Sequence, residues 1–351
     1  MPREETHNNL AFSTISALRF PLIVCVVLIH TPLAADNLSY QFFCRLVSFV
    51  TRAAVPAFFL FSGFLFFHEG AVFSWDLYIR KLQRRLTTLL IPYLFWNGLV
   101  LFRFYFTQHI LGITDGNVLV VSEFTVSDWF RAFWDLYGGN PICFQFWFIR
   151  DLMVMALLSP LIFLLIRYNY VRWIFLSTVF LLWVLNVPCP TGLSAGSVLF
   201  FSLGALFSIN GYDLIALVHR LLKPVLMILP VILLLDVFSW NGIFSELPLD
   251  KIGILLVIIA VVGVTSHMLE EGKMQINKEL MDSTFFIYAA HPLLVAPLHF
   301  LIMKTLHPTL GITLISLYVG ITALIIVVLF YVYRILKRWF PTLTAVITGG
   351  R

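Results

Sequence analysis

Long apolar runs separated by short polar segments divide this 351-residue chain. They fall at about 13–33, 46–67, 88–106, 145–166, 170–187, 196–209, 223–237, 250–267, 283–303 and 311–334, each near the roughly 20 residues that carry a helix across a hydrocarbon core. The pattern predicts an all-α polytopic membrane protein of about ten transmembrane helices, the sixth and seventh runs being the shortest. Within the first run, Arg19 and His30 bracket ten residues of which Cys25 is the one other polar side chain. Eleven residues turn a helix through three turns and about 20° more, so both side chains share one face, roughly 16 Å apart along it. A cation and a titratable imidazole on one face of a membrane helix are expensive, which makes them a candidate site.

Few polar residues interrupt the other runs. The second contains Arg52, Pro56 and a Ser62-Gly63 pair. The proline offers a local break and the small residues a close helix approach, while Arg52 either snorkels to an interface or points into a cavity. Ahead of the third run, Arg80, Lys81, Arg84 and Arg85 fall at i, i+1, i+4 and i+5 of an amphipathic surface helix. This basic stripe fits either anionic lipid headgroups or a phosphorylated cytosolic ligand. The fourth run opens with Arg150 and Asp151, which as neighbours on a helix do not face each other and are each expected to need a partner elsewhere. In the ninth, His291 precedes Pro292. The proline frees a backbone carbonyl for the histidine to satisfy, and a role in a site is the other reading.

Composition and charge sharpen this outline. The chain is 60% hydrophobic and 12% charged, with a mean hydropathy of +0.94, which leaves no room for a separate soluble domain. With the N-terminus in the cytoplasm, 15 of the 23 Lys and Arg lie on inner segments, among them Arg3, Arg80, Lys81, Arg84, Arg85, Arg167, Arg334, Lys337 and Arg338. Both termini are therefore expected inside, and the net charge of +5 describes membrane orientation rather than nucleic-acid binding. The longest outer connection, about 107–144 on this count of spans, is expected to lay Trp129 and Trp134 along the interface. Cys44, Cys143 and Cys189 map near the outer face; free buried thiols are the expected state and a disulfide between two of them the alternative. Phe20–Ile29 followed by Leu33–Ala35 also has the outline of a signal peptide, whose cleavage would discard the Arg19–His30 face.

The intramembrane ionisable groups are thus mostly basic, with Asp151 the clearest acid. That balance suits a polyanionic ligand better than a proton-coupled carrier, which more often places Asp or Glu in its spans. His30 has the chemistry of a general base near neutral pH. A reaction joining an inner-face phosphorylated donor to an outer-face hydroxyl would use all of these features. A transporter or flippase for a lipid-linked sugar or small anion is the alternative, and it predicts repeated halves that the sequence does not show. No Walker, Rossmann or Cys/His metal spacing occurs.

Over residues 12 to 335 the chain resembles the acyltransferase 3 family of integral-membrane O-acyltransferases. The resemblance rests on Arg19 and His30, the block Val55–Phe66, the basic run before Leu89–Trp96, Phe146–Leu152, Ser159-Pro160 and Phe285–Leu294. It implies a single membrane acyltransferase domain over residues 1–351 with no appended esterase domain. No cofactor would be bound permanently; acetyl-CoA or another acyl-CoA would be the co-substrate, and a glycan or lipid-linked sugar hydroxyl in the inner membrane the acceptor. His30 and Arg19 match the family's catalytic pair, and Lys81, Arg84, Arg85 and Arg150 would bind the donor. Asp151, Trp147, His291 and Arg52 would support the substrate. The basic run departs from the family's paired arginines, since Arg85 is followed at that spacing by Thr88, leaving open which of Arg84 and Arg85 meets the phosphates.

Overall fold

A computed structural model describes residues 2–68, 73–110, 112, 120–136, 138–239 and 247–350, the side chains of residues 2–8 apart. Part of the 107–144 connection thus lies outside the described residues. Helices form α1 (Pro2–His30), α2 (Leu38–Thr51), α3 (Ala54–Phe67), α4 (Trp75–Arg85), α5 (Ile91–His109) and α6 (Val126–Arg131). They continue as α7 (Trp147–Leu157), α8 (Ser159–Arg167), α9 (Asn169–Val184), α10 (Ala195–Ile209) and α11 (Leu214–Phe238). The last four are α12 (Leu249–Glu270), α13 (Lys278–Leu306), α14 (Gly311–Trp339) and α15 (Pro341–Thr348). No strand occurs among the described residues.

Seven of the described helical segments are long and apolar enough to cross a membrane: Asn9–His30, Leu38–Phe67, Trp75–His109, α11, α12, α13 and α14. Residues 144–167 make an eighth if the bent pair α7–α8 is one span, and α9 and α10 are shorter apolar helices. At 1.5 Å per residue each of these two is about 23 Å long, less than the roughly 30 Å of hydrocarbon. The helix of the seventh expected run proves longer than that run, because α11 starts at Leu214, ahead of the polar pair His219 and Arg220.

Prolines explain the breaks. Pro56 has no N–H to give the carbonyl of Arg52, and its ring would collide there; α2 ends at Thr51 and α3 restarts at Ala54. The fourth run bends by 63° at Leu158, directly before Ser159-Pro160, where the Ser159 hydroxyl caps the Ala156 carbonyl at 2.8 Å. Between α4 and α5 the chain does not stop but widens into a π turn, Leu86–Leu90, with the Ile91 N–H reaching back to the Leu86 carbonyl. Pro92 is the cause: an α turn would drive its ring into the carbonyl of Thr88.

The chain divides into two compact units, residues 1–61 with 210–335 and residues 62–209 with 336–351. In the first, α1 packs against α12 and α13, and α2 lies on α11 and α12. In the second, α10 is held by α8 and α9, and α15 sits on α5. Gly63 permits the closest approach there: a Cβ would stand 2.8 Å from the Phe201 carbonyl carbon of α10.

Candidate functional site

In the first unit the end of α1 is clamped by its own side chains and by two other helices. A helix leaves its last carbonyls without intrahelical partners. Here the Thr31 hydroxyl takes Val27 O at 3.1 Å, and Tyr318 of α14 donates to Leu28 O at 2.9 Å. His299 of α13 takes Thr31 O at 3.1 Å, and Thr31 and Thr322 join through their hydroxyls at 2.7 Å. His30, the last residue of α1, sits inside this clamp.

His30 Nδ1 lies 2.9 Å from Val26 O and 3.1 Å from Nε2 of His291, with ring centroids 5.1 Å apart. His291 is fully buried, and its Nδ1 is 2.7 Å from Tyr288 O. That carbonyl is the one whose α-helical partner would be the N–H that Pro292 lacks. Both sequence readings of His291 therefore meet in one side chain: it satisfies the freed carbonyl with one nitrogen and touches His30 with the other. The tautomers follow from chemistry. A carbonyl only accepts, so Nδ1 of His291 carries a proton and its Nε2, in the neutral ring, accepts. Nδ1 of His30 then donates to Val26 O and His291, which makes Nε2 its basic nitrogen.

Arg19 is half-buried and interacts electrostatically with Asp282 of α13. His30 contacts His291 and Arg19 lies within electrostatic reach of Asp282; both pairings advance in the same chain direction along α1 and α13, so the helices run parallel. The face of α1 that Arg19 and His30 share is the one turned to α13. Arg52 lies elsewhere, exposed at the α2–α3 break.

The second unit carries the basic stripe. Its four cations do not act alike: Arg80 and Arg84 are exposed, whereas Lys81 and Arg85 turn inward over the ring of Phe66, at 5.4 and 5.9 Å from its centroid. Lys81 also donates to the Phe66 carbonyl and lines a shallow groove open to solvent. The groove is walled by Phe66, Phe67, Phe73, Tyr78 and Phe163. Aromatic faces beside a cation fit a planar ring attached to phosphate.

Arg150 and Asp151 require a correction. They do pair, Nη2 to Oδ1 at 2.7 Å and Nε to Oδ1 at 3.1 Å, and both are buried. Helical neighbours point about 100° apart at Cβ, but four flexible bonds let the guanidinium fold back to the next carboxylate. Nη1 donates to the Trp134 and Gly139 carbonyls at 2.6 Å each. The Trp134 ring lies 5.5 Å away, and Ser194 hydrogen-bonds Asp151 through side chain and backbone. Four of the five guanidinium donors are thus engaged with this chain. Arg150 fastens the loop before α7 and offers little to a phosphate. Trp147 opens α7, half-buried.

All four cysteines are free. Burial pushes the Cys143 thiol up to about 12, so it is protonated and inert at neutral pH. Among the described residues no group of three or more His, Cys, Asp or Glu side chains is arranged to hold a metal ion.

Three polar residues carry more than their sequence context signals. Asp282 sits near the polar start of α13, and His299 lies within the ninth run, where no neighbouring residue marks it out. Asp236 is a buried acid in an otherwise featureless run, 3.8 Å from Arg45 of α2. A lone acid in an apolar run is a signal that could have been followed.

The model of a family described as "Acyltransferase domain", the acyltransferase 3 family, matches residues 12–334. The chain is also similar to the succinoglycan biosynthesis protein ExoH of Rhizobium meliloti (strain 1021). The two are 28% identical over 312 residues, covering 86% of this chain and 80% of that protein. No solved structure matches.

Proposed function

The chain belongs to the acyltransferase 3 family and is a membrane acyltransferase, and from this we propose that it moves an acyl group, acetyl first, from cytosolic acyl-CoA to a glycan hydroxyl. The acceptor class follows the relative's role in succinoglycan biosynthesis: a cell-surface polysaccharide or its lipid-linked sugar precursor. The proposed setting is the inner membrane, crossed ten times with both termini in the cytoplasm. The seven long spans, the bent pair and the two short apolar helices supply ten segments for it.

The observation that carries the reading is the proton-bearing chain from Tyr288 O through His291 to His30. It holds the His30 ring so that Nε2 is the base. In the reaction Nε2 takes the proton of the acceptor hydroxyl while its oxygen attacks the thioester carbonyl. The carbon–sulfur bond then breaks, and the departing CoA thiolate recovers the proton from His30. His30 Nδ1–H stays on His291 and Val26 O throughout, so the ring neither flips nor loses its tautomer. Arg19 keeps a cation on the same face of α1. Lys81, Arg84 and Arg85 beside the aromatic groove suit the adenine and phosphates of the donor. Asp151, Trp147 and Arg52 have no chemical step in this mechanism.

Purified protein given acetyl-CoA and an oligosaccharide acceptor is expected to release free CoA thiol and acetylate the sugar; a transporter would do neither. Mass spectrometry of surface glycans with and without the gene then names the acceptor. Two further outcomes are specific. Paired Arg84→Ala and Arg85→Ala should raise the KM for acetyl-CoA about 10–100-fold with a smaller change in kcat, as loss of uniform binding does. A collapse of kcat at unchanged KM would move these residues off the phosphates. His291→Phe removes one of the two acceptors of His30 Nδ1–H, leaving Val26 O, and should lower kcat about 10–100-fold while shifting the acid limb of the pH–rate profile. An unshifted limb would confine His291 to packing.

A further inference from the structure

The family match ends at residue 334, yet the chain folds another helix, α15, into the second unit. Thr344, Ile347 and Thr348 are buried, and the Trp96 indole N–H of α5 donates to the Ile347 carbonyl at 2.9 Å. The helix closes with a glycine pair. Gly349 adopts φ +72°, the Gly350 N–H returns to Ala345 O at 2.7 Å and the Gly349 N–H to Val346 O at 3.4 Å, a Schellman closure. What the closure touches matters more than its form. A Cβ on Gly349 would overlap the Thr88 carbonyl and stand 2.9 Å from Thr88 Cα.

Thr88 lies in the π turn that Pro92 forces. The turn lies between the basic stripe and α5, and a π turn holds one more residue than an α turn. Pro92 bars the regular α form there, so releasing the turn means loosening it, which would re-aim α4 relative to α5. Lys81 and Arg85 would leave Phe66 and the groove. Thr87 and Thr88 tie the same turn to the stripe through hydroxyl bonds to Arg84 O at 3.0 and 2.9 Å.

We infer that residues 341–350 form a wedge, seated by Trp96 and by the side-chain-free face of Gly349, that locks the π turn and so sets which cations face the donor groove. Gly349 and Trp96 are positioning residues, not donor contacts. The inference rests on the reading of Lys81, Arg84 and Arg85 as the donor's phosphate site.

The test uses the full chain in nanodiscs with acetyl-CoA as the varied substrate. Gly349→Ala meets both the Thr88 carbonyl and the cost of a left-handed backbone, and should raise the KM for acetyl-CoA about tenfold with kcat within about twofold. Trp96→Phe keeps the ring and removes the bond to Ile347 O, and should raise it about threefold. Gly98→Ala, on α5 with open space around it, controls for glycine substitution and should change nothing. A merely structural α15 would instead lower the yield of folded protein and leave the donor KM of the folded fraction alone. If Gly349→Ala does not fold, Trp96→Phe decides by the same split. Unchanged donor KM in the folded variants, with the Arg84 and Arg85 variants weakened, overturns the wedge and leaves the donor site standing. Unchanged donor KM in the arginine variants overturns the donor site, and the wedge with it.

Discussion

His30→Ala is expected to lower kcat about a thousandfold, the middle of the range for losing a positioned general base, with the KM for acetyl-CoA changed little. The size follows from the role proposed for the side chain. A sugar hydroxyl is almost wholly protonated at neutral pH, and Nε2 of His30 is the nitrogen that the bonds from Nδ1 leave basic. The fold should survive, because the Thr31–Thr322, Tyr318–Leu28 and His299–Thr31 bonds hold the end of α1 without the imidazole. Size-exclusion profile and melting curve check that. Single-turnover release of CoA thiol then reads the chemistry separately from product release. A folded variant keeping more than about a tenth of parental kcat would remove His30 as the base. A covalent acetyl adduct on the parent protein, formed without acceptor and absent from the variant, would replace direct attack with an acyl-histidine route through the same residue.

Asp151→Asn should give the largest loss of stability, about 3–5 kcal/mol, because it leaves a buried guanidinium without its counter-charge. The pair is enclosed, with 4% of the Arg150 side chain and 1% of the Asp151 side chain exposed. Arg150 ties the Trp134 and Gly139 carbonyls to α7, and Asp151 ties in Ser194 before α10. The expected phenotype is a lower melting temperature in detergent and faster proteolysis of the loop before α7, with the donor KM of the surviving fraction unaltered. Arg150→Met with Asp151→Leu should recover part of the loss, since the double variant removes the unpaired charge. A melting temperature for Asp151→Asn within about two degrees of the parent would refute the clamp.

Much of this was legible from one chain because a membrane makes polarity conspicuous. Arg19 and His30 stand out as polar residues in an apolar run, and their shared face follows from helical geometry alone. The Pro56 break has the same local origin, whereas the π turn before Pro92 and the bend at Pro160 interrupt runs that the pattern gives as continuous. The Arg150–Asp151 pair departs from the spacing rule because that rule describes Cβ directions, while a long side chain near a helix start is free to curl back. The split of the basic stripe was hidden for another reason. Arg84 and Arg85 are adjacent cations, and which faces Phe66 depends on a π turn one residue wider than regular helical periodicity assumes.

By itself the sequence determined a helical membrane protein, the first-helix face bearing Arg19 and His30, the basic stripe, and the break at Pro56. These depend on local geometry and on the cost of polarity in hydrocarbon, both of which act within one segment. The tertiary structure decided that His291, 261 residues from His30, orients its ring, that the charge of Asp282 acts on Arg19, and that Gly349 abuts Thr88. Those pairings depend on which helices lie side by side, and helix packing is settled by the summed fit of many apolar side chains, which no single stretch of chain records.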